Sequence, residues 1–179
     1  MELSKGTLRL RSAVVADAEL LTKWNNDGQL MDRFGFPNGI KTTVDKIKKH
    51  ILQAQTFTSQ LLVVEIDNHP VGELLYDIID QDAVLTLHFL DHVFLNKGYE
   101  NTLLKLVINH LFATNEINKF VVDINVRDKY EQAIFNNLGF ILCKKKKLLW
   151  YSFPKLRQKS TFYEFYREDY VKCKGLYLE

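Results

Sequence analysis

The sequence predicts an α+β fold in which a single mixed, largely antiparallel central sheet carries helices on both faces. Three β-rich runs at 60–66, 71–79 and 83–90 follow one another across short turns, the pattern of antiparallel hairpins. A crossover through 93–119 then joins the third run to an alternating strand at 119–126. Because a strand–helix–strand crossover joins parallel neighbours, we expect the sheet to be mixed.

The segment before the hairpins predicts one strand and two helices. Residues 7–14, TLRLRSAV, alternate in polarity and indicate a strand. A helix follows, with Asp17 as a candidate cap and with apolar residues at helical spacing, namely Leu20, Leu21 and Trp24. Glycine and proline mark a loop at 32–40, and 42–55 is predicted to be an amphipathic helix capped by Thr42 or Thr43.

The C-terminal part predicts a short helix and two strands. In residues 128–140, Asp128 and Glu131 have the spacing of a capping box, and Gly139 suits a left-handed helix end. We expect the last two strands in 140–152 and 160–170, on either side of a proline-containing loop. The aromatic residues there are interpreted as core or as a homodimer contact, and the lysine run at 144–147 as a solvated strand edge or an anion-binding site.

Composition narrows the functional classes. The chain has 179 residues, a net charge of +2 and 46% apolar residues, as expected for one globular domain spanning 1–179. This charge is too small to predict nucleic-acid binding. Two cysteines outside any metal-binding spacing argue against zinc, and the sequence shows no signal-peptide or membrane-spanning segment. We therefore expect a cytoplasmic protein without a metal.

The order of elements, Gly98 at the junction of strand and helix, and the LGF that closes the last helix together resemble the GNAT superfamily of acyl-CoA N-acyltransferases. The N-terminal LRLRSAVVADAELLTKWNND and the later YEFYREDY resemble the branch with ribosomal-protein N-terminal, aminoglycoside and polyamine acetyltransferases. The resemblance implies acetyl-CoA as cofactor and direct transfer to an amine, without a covalent enzyme intermediate.

The resemblance also implies a diphosphate-binding loop of pattern Q/R-x-x-G-x-G/A, which falls on residues 95–100. Helix N-terminal amides lack internal partners, and the helix dipole favours an anion there. Only Gly98 matches, because Leu95 and Glu100 replace the usual residues. A carboxylate there would repel a phosphate by about 1 kcal/mol in water-like surroundings, so we expect Glu100 to turn outward. The predicted cofactor-binding residues of this loop are Asn96, Lys97, Gly98, Tyr99, Glu100 and Asn101.

A second implication is a gap between the two strands that flank the crossover, where pantetheine would pair with backbone. One side of the gap would be the backbone of His88, Phe89 and Leu90, with a main-chain N–H polarising the thioester carbonyl. Asn125 or Val126 would line the other side.

A third implication is a tyrosine that protonates the leaving thiolate, and here that position is Phe135. Since a thiol has a pKa of about 8.5, leaving as a free thiolate at pH 7 costs only about 2 kcal/mol. Tyr130, Tyr99 or water could supply the missing proton, so activity would be reduced and not abolished.

The acceptor amine must lose a proton before attack, because its pKa is about 10.4. Candidate bases are Glu73, His88 and Asp91, and a water chain could replace all three. Structural alternatives are a hydrogen-bonded strand histidine for His88 and a turn cap for Asp91.

Acceptor binding is predicted in the loop after the first helix, where carboxylates and aromatic rings suit a cationic amine. The candidates are Trp24, Asp27, Asp32 and Phe36, with loop scaffolding as the alternative. The acceptor is expected to be a small-molecule amine, with a protein N-terminus as the alternative. A competing hypothesis is a non-catalytic domain that binds CoA as a sensor or binds only a partner protein, because Glu100 and Phe135 depart from the enzyme pattern.

Overall fold

A computed structural model describes residues 1–95, 97–143 and 160–178 of the chain. Within these residues eight strands form one sheet in the order β1-β2-β3-β4-β5-β6-β8-β7, in which only β5 and β6 pair in parallel. The strands are β1 (Glu2–Lys5), β2 (Leu8–Ser12), β3 (Ser59–Ile66), β4 (His69–Ile79), β5 (Asp82–Phe89), β6 (Lys119–Asn125), β7 (Ile141–Leu142) and β8 (Ser160–Tyr166). The predicted mixed, largely antiparallel sheet is confirmed.

Helices cover both faces of the sheet, as predicted. They are α1 (Ala18–Asn26), α2 (Gly28–Met31), α3 (Val44–Gln53), α4 (Tyr99–Thr114), α5 (Lys129–Asn137), α6 (Arg167–Cys173) and α7 (Gly175–Leu178). Short 3-10 turns occupy Val15–Asp17 and Asp32–Phe34. No helix in the described ranges is long and apolar enough to cross a lipid bilayer.

The alternation of side chains along the strands divides the core in two. Val64 and Leu74 face α4 and α5 in the larger core cluster, whereas Val63 and Leu75 face α1 and α3 in the smaller one. Residues on opposite faces of one strand therefore enter different environments, and this separation places the candidate site.

Three local predictions were wrong. Strand β1 was missed because it is mostly exposed and polar, and it pairs with β2 across a turn at Gly6, whose φ is +60°. The last strand ends at Tyr166, and the segment predicted to extend it forms α6. Asp17 does not cap α1, because its carboxylate pairs with the guanidinium of Arg11 at 2.7 and 2.9 Å. The lysine run at 144–147 lies outside the described residues.

The parallel pairing between β5 and β6 is short. It joins residues 82–85 to residues 119–122 and then stops. Beyond that point β5 stays paired with β4 as far as Phe89, and β6 stays paired with β8 as far as Asn125. The two strands separate, and we call the space between 86–89 and 123–125 the wedge.

Candidate active site

Among the described residues, no strand pairs across the wedge with 86–89 of β5 or with 123–125 of β6. The amide of Leu90 donates to Val71 O of β4 at 2.8 Å. Because successive peptide groups of a strand point in opposite directions, the N–H of the preceding residue, Phe89, points into the wedge. Of the three backbone positions predicted to hold pantetheine, Phe89 is thus the one whose N–H points into the wedge.

The N-terminus of α4 lies at the open end of the wedge. Gly98 precedes this helix with a φ of +82°, and a Cβ placed on it would meet no atom within 4 Å. The first helical hydrogen bond runs from Thr102 N to Gly98 O at 3.1 Å. The preceding amides of the first turn have no partner in the helical ladder, and Lys97 and Gly98 are exposed. The exposed residues Lys97 and Gly98 leave the outer side of this helix end accessible to an anion, while the Glu100 carboxylate interacts with its own amide on the inner side. Asn96 lies outside the described residues.

Glu100 does not turn outward, and that expectation was wrong. Its side chain is only 2% exposed, and Oε2 accepts a hydrogen bond of 2.7 Å from the hydroxyl of Tyr130. Burial raises the pKa of the Glu100 carboxyl, while the Tyr130 bond and the charge of Arg33 oppose the rise. The reason for the inward rotamer is that a hydroxyl donor and a cation lie beneath the helix end.

A segment from the N-terminal part of the chain closes the wedge. It is the 3-10 turn Asp32–Phe34, which we call the strap. Asn125 Nδ2 donates to Arg33 O at 2.9 Å, and Arg33 Nε pairs with Asp128 Oδ2 at 2.8 Å. The ring of Phe34 lies 4.5 Å from that of His88. The space left beneath the strap is a cavity of about 10 Å³, lined by Arg33, Phe34, Leu87, Phe89, Glu100, Leu104, Glu131, Ile134 and Phe135.

Outside the strap lies a larger open cleft of about 470 Å³. It is lined by Asp32, Arg33, Leu95, Asn125, Arg127, Asp128 and Tyr130. Asn125 is buried and fixed in this wall, because its Oδ1 accepts from Arg127 N at 3.1 Å while its amide holds the strap. Two arginines and two aspartates balance in charge in this lining, and Arg33 is paired with Asp128, so Arg127 is the cation of the cleft outside that pair.

Two of the predicted bases form a buried pair on the face covered by α1 and α3. Glu73 on β4 and His88 on β5 are directly opposite in register, and Nδ1 of His88 lies 2.9 Å from Oε1 of Glu73. Their exposures are 7% and 4%. Asn25 on α1 donates its Nδ2 to both Glu73 oxygens at 3.2 and 3.3 Å. His88 lies beyond the end of the β5–β6 pairing, at the wedge.

Asp91, the third candidate base, lies outside this pair. Its Oδ1 accepts from Val93 N at 2.8 Å, so its carboxylate caps a turn. Phe135 is buried against Phe140 at the floor of the wedge, and Leu90 is buried beside the strap. Tyr99 packs edge-on against Phe94, and Asn101 is half-buried in the first turn of α4.

The four predicted acceptor residues are dispersed. Asp27 caps α2 through bonds to Gln29 N and Leu30 N. Phe36 is buried, and the half-buried Trp24 packs between two core clusters. Asp32 alone lines the open cleft. These residues have clear scaffolding contacts, and their role in acceptor binding stays a prediction.

Sequence reasoning missed Asn25 and Arg33. Asn25 follows Ala18 and Leu21 at helical spacing on the buried stripe of α1, so a polar residue at an apolar position was the available signal. Arg33 gave no comparable signal, because its partner Asp128 is 95 positions away in the sequence. In the described parts of the chain, no group of three or more histidine, cysteine or acidic side chains is placed to hold a metal ion.

Comparison with known proteins identifies one family. The model of the acetyltransferase (GNAT) domain family matches residues 7–141. No curated protein sequence matches the chain.

Solved structures share the fold at low sequence identity. The ribosomal L7/L12 alpha-N-protein acetyltransferase RimL in complex with coenzyme A has a TM-score of 0.74 and 18% identity, covering 93% of this chain and 98% of its own. The spermidine N-acetyltransferase of Vibrio cholerae in complex with CoA and spermine has a TM-score of 0.73 and 15% identity, with coverages of 93% and 99%. The aminoglycoside acetyltransferase AAC(6')-Ib in complex with coenzyme A has a TM-score of 0.71 and 14% identity, covering 93% of this chain and 99% of its own.

Proposed function

Because the chain belongs to the GNAT family of acetyltransferases, we propose that it transfers an acetyl group from acetyl-CoA to the primary amine of a small molecule. The observation that carries this proposal is the buried Glu73–His88 pair at the wedge, since it offers a base where the acyl group would lie. When bound, acetyl-CoA supplies the acetyl group as a thioester.

The residues at the open end of the wedge fit the diphosphate of this cofactor. The amides at the start of α4 and the exposed ammonium group of Lys97 would hold it once the Glu100 carboxylate releases its own amide, and Gly98 leaves room for close approach. The N–H of Phe89 would hold the acyl oxygen. The cavity of about 10 Å³ beneath the strap does not admit the pantetheine arm, so binding requires the strap and the Glu100 side chain to move.

His88 would act as the general base. The ionised carboxylate of Glu73 accepts a hydrogen bond from Nδ1–H, which leaves Nε2 of a neutral imidazole as proton acceptor. A protonated amine would give one proton to Nε2, and the resulting amine would form the N–C bond as the C–S bond breaks. The sulfur would leave as a thiolate, and the second amine proton and the proton on His88 would be released to water. General-base catalysis of this kind contributes about 10²–10⁴-fold.

The protonation of the leaving sulfur has no dedicated acid in this arrangement. Phe135 has no ionisable group, and the proton of the Tyr130 hydroxyl is donated to Glu100. A thiol leaves as thiolate at a cost of about 2 kcal/mol at pH 7, so turnover should be slow and still measurable.

A small-molecule acceptor is favoured over a protein N-terminus by the space beside the base. The cavity next to His88 measures about 20 Å³ and has Ile47, Leu61 and Leu75 among its walls. A narrow alkylamine suits it better than an α-amino group, which carries a side chain and a carbonyl on the adjacent carbon.

The test is acetylation of an amine panel by the purified protein with acetyl-CoA, read as product mass and free thiol. We expect transfer to alkylamines, and we expect Glu73→Gln and His88→Gln to lower kcat by about 10²–10⁴-fold. Asp91→Asn, which changes only the turn cap, is the matched control and should retain activity. No transfer to any amine by a protein that binds CoA would overturn the catalytic proposal.

A second candidate function is a CoA sensor, which the absence of an acidic group at Phe135 favours. It predicts CoA binding, seen as a thermal shift, with no acetyl transfer across the panel. A protein that shows neither binding nor transfer would instead act as an interaction module.

A further inference from the structure

We propose that Asn25, Glu73 and His88 form a subsite that binds one primary ammonium group, the reacting group of the acceptor. This inference rests on the proposed function for its role in catalysis. Its structural basis is separate, because two buried acceptor atoms in this cluster have no hydrogen-bond donor among the described residues: Asn25 Oδ1 and His88 Nε2.

The orientation of the Asn25 amide is fixed by its neighbours. Its Nδ2 lies 2.8 Å from Leu21 O and within 3.3 Å of both Glu73 oxygens, all of which are acceptors. Turning the amide over would place Oδ1 against these three oxygens and lose every hydrogen bond. Oδ1 therefore points away from them, and at 1% exposure it cannot reach bulk water. A buried carbonyl without a donor is costly, which indicates a missing partner.

The same carboxylate determines which ring nitrogen of His88 carries a proton. Since an ionised Glu73 only accepts hydrogen bonds, the 2.9 Å contact assigns a proton to Nδ1 of His88. In the neutral form of this tautomer, Nε2 is the acceptor. His88 is 4% exposed, so this lone pair also faces the interior of the protein.

The two unpartnered atoms belong to side chains that line one cavity of about 20 Å³. About 10–15 Å³ is enough to hold one water-sized group. The remaining lining is largely apolar, apart from Thr86 and His50, and burial lowers the pKa of His50 so that this ring is neutral at pH 7. With His88 in its neutral form, the lining carries the charge of Glu73 and no full positive charge.

An ammonium group fits this lining better than a water molecule. It brings three N–H donors to three kinds of acceptor, Asn25 Oδ1, His88 Nε2 and the Glu73 carboxylate, and its charge offsets the buried carboxylate. A water molecule offers two donors and no charge. The subsite should therefore prefer a primary ammonium to a quaternary ammonium, which has no N–H to donate.

The test measures binding of n-butylammonium and of butyltrimethylammonium to the intact protein by calorimetry, with ¹⁵N spectra of the His88 ring. The two probes share charge and chain and differ in N–H donors. We expect n-butylammonium to bind at least tenfold more tightly and to shift the Nε2 resonance. Equal affinities, or a Nε2 resonance that does not move, would overturn the subsite, and this comparison needs no variant.

Asn25→Ala should weaken n-butylammonium binding about tenfold or more, the effect of removing one hydrogen bond to a charged group. Lys23→Ala, at an exposed position of the same helix, is the control and should bind as the wild type does. Binding of the probe without acetylation of any amine would support the subsite and refute the transferase. Acetylation with an amine KM unchanged in a folded Asn25→Ala protein would refute the subsite alone.

Discussion

Arg33 Nε lies 2.8 Å from Oδ2 of Asp128, which joins the strap to the first turn of α5 across the wedge. The Asp128 side chain is 5% exposed and that of Arg33 is 23% exposed, so the ion pair is largely shielded from solvent. Asn125 holds the Arg33 carbonyl from the same side. The strap is therefore fastened at the place where a pantetheine arm would have to enter, and CoA binding should be coupled to its release.

We predict that Arg33→Ala and Asp128→Asn both tighten CoA binding several-fold. A protein whose binding-competent state is only partly populated has an apparent affinity reduced by that fraction, and loosening the strap raises the fraction. Asparagine retains the capping function of Asp128 at the start of α5. The measurement is titration calorimetry with CoA at fixed ionic strength.

The pair of variants separates release of the strap from a simple effect of charge. Arg33→Ala removes a positive charge near the phosphates and Asp128→Asn removes a negative one, so electrostatics alone would move the two affinities in opposite directions. Arg9→Ala is the control, because it breaks ion pairs with Glu2 and Glu65 that lie far along the sheet from the wedge. Opposite shifts for the two strap variants would contradict the coupling.

Gly98→Val should weaken CoA binding by at least tenfold in a protein that still folds. A valine at the φ of +82° is strained, and its side chain would occupy the open space where a diphosphate must approach the helix amides. Gly6→Val is the matched control, since Gly6 also has a positive φ of +60° with no atom near its Cβ and lies in the turn between β1 and β2. Equal loss of CoA affinity in the two variants would argue against the helix end as the anion site.

The fold was predictable because its signals are local. Hairpin turns at Asp67–Asn68 and Asp80–Gln81 adopt positive φ between β-rich runs, and the buried stripe of α4 repeats at helical spacing. The crossover before β6 then determined where the sheet is parallel. These patterns are formed by residues that are close to one another in the sequence.

The candidate site was only partly predictable because its contacts are not local. Glu73 and His88 could be proposed from their residue types, but their pairing depends on the β4–β5 register. The inward position of Glu100 depends on Tyr130, 30 residues away. Asn25 meets Glu73 across 48 residues, so its role followed only from the packing of α1 on the sheet.

Arg167→Lys should lower the free energy of unfolding by about 2–4 kcal/mol, because hydrogen bonds from a charged donor to partly buried carbonyls are lost. The guanidinium donates to Ile117 O, Phe112 O and Asn115 O at 2.6, 3.0 and 2.6 Å, and it lies over the Phe112 ring. An ammonium group lacks the planar fork that reaches all three. Urea unfolding measures the change. Arg127→Lys, at an exposed position, is the control and should be neutral.

The buried carboxyl of Glu100 should make stability fall as pH rises. Burial holds its pKa above the usual value, so just above about pH 4.3, the ordinary pKa of glutamate, the unfolded chain loses this proton while the folded protein keeps it. The stabilisation is fully present below that pH and is lost as pH rises through the folded pKa.

Glu100→Gln keeps an acceptor for the Tyr130 hydroxyl and cannot titrate, so the unfolding free energy of wild type relative to Glu100→Gln should decline with pH and then level. Urea unfolding at a series of pH values measures this difference. Glu19→Gln, on the exposed face of α1, is the control for removing one carboxyl at another position. A difference that grows with pH would mean that Arg33 and Tyr130 outweigh burial, and that Glu100 is held as a stabilised anion beneath the helix end.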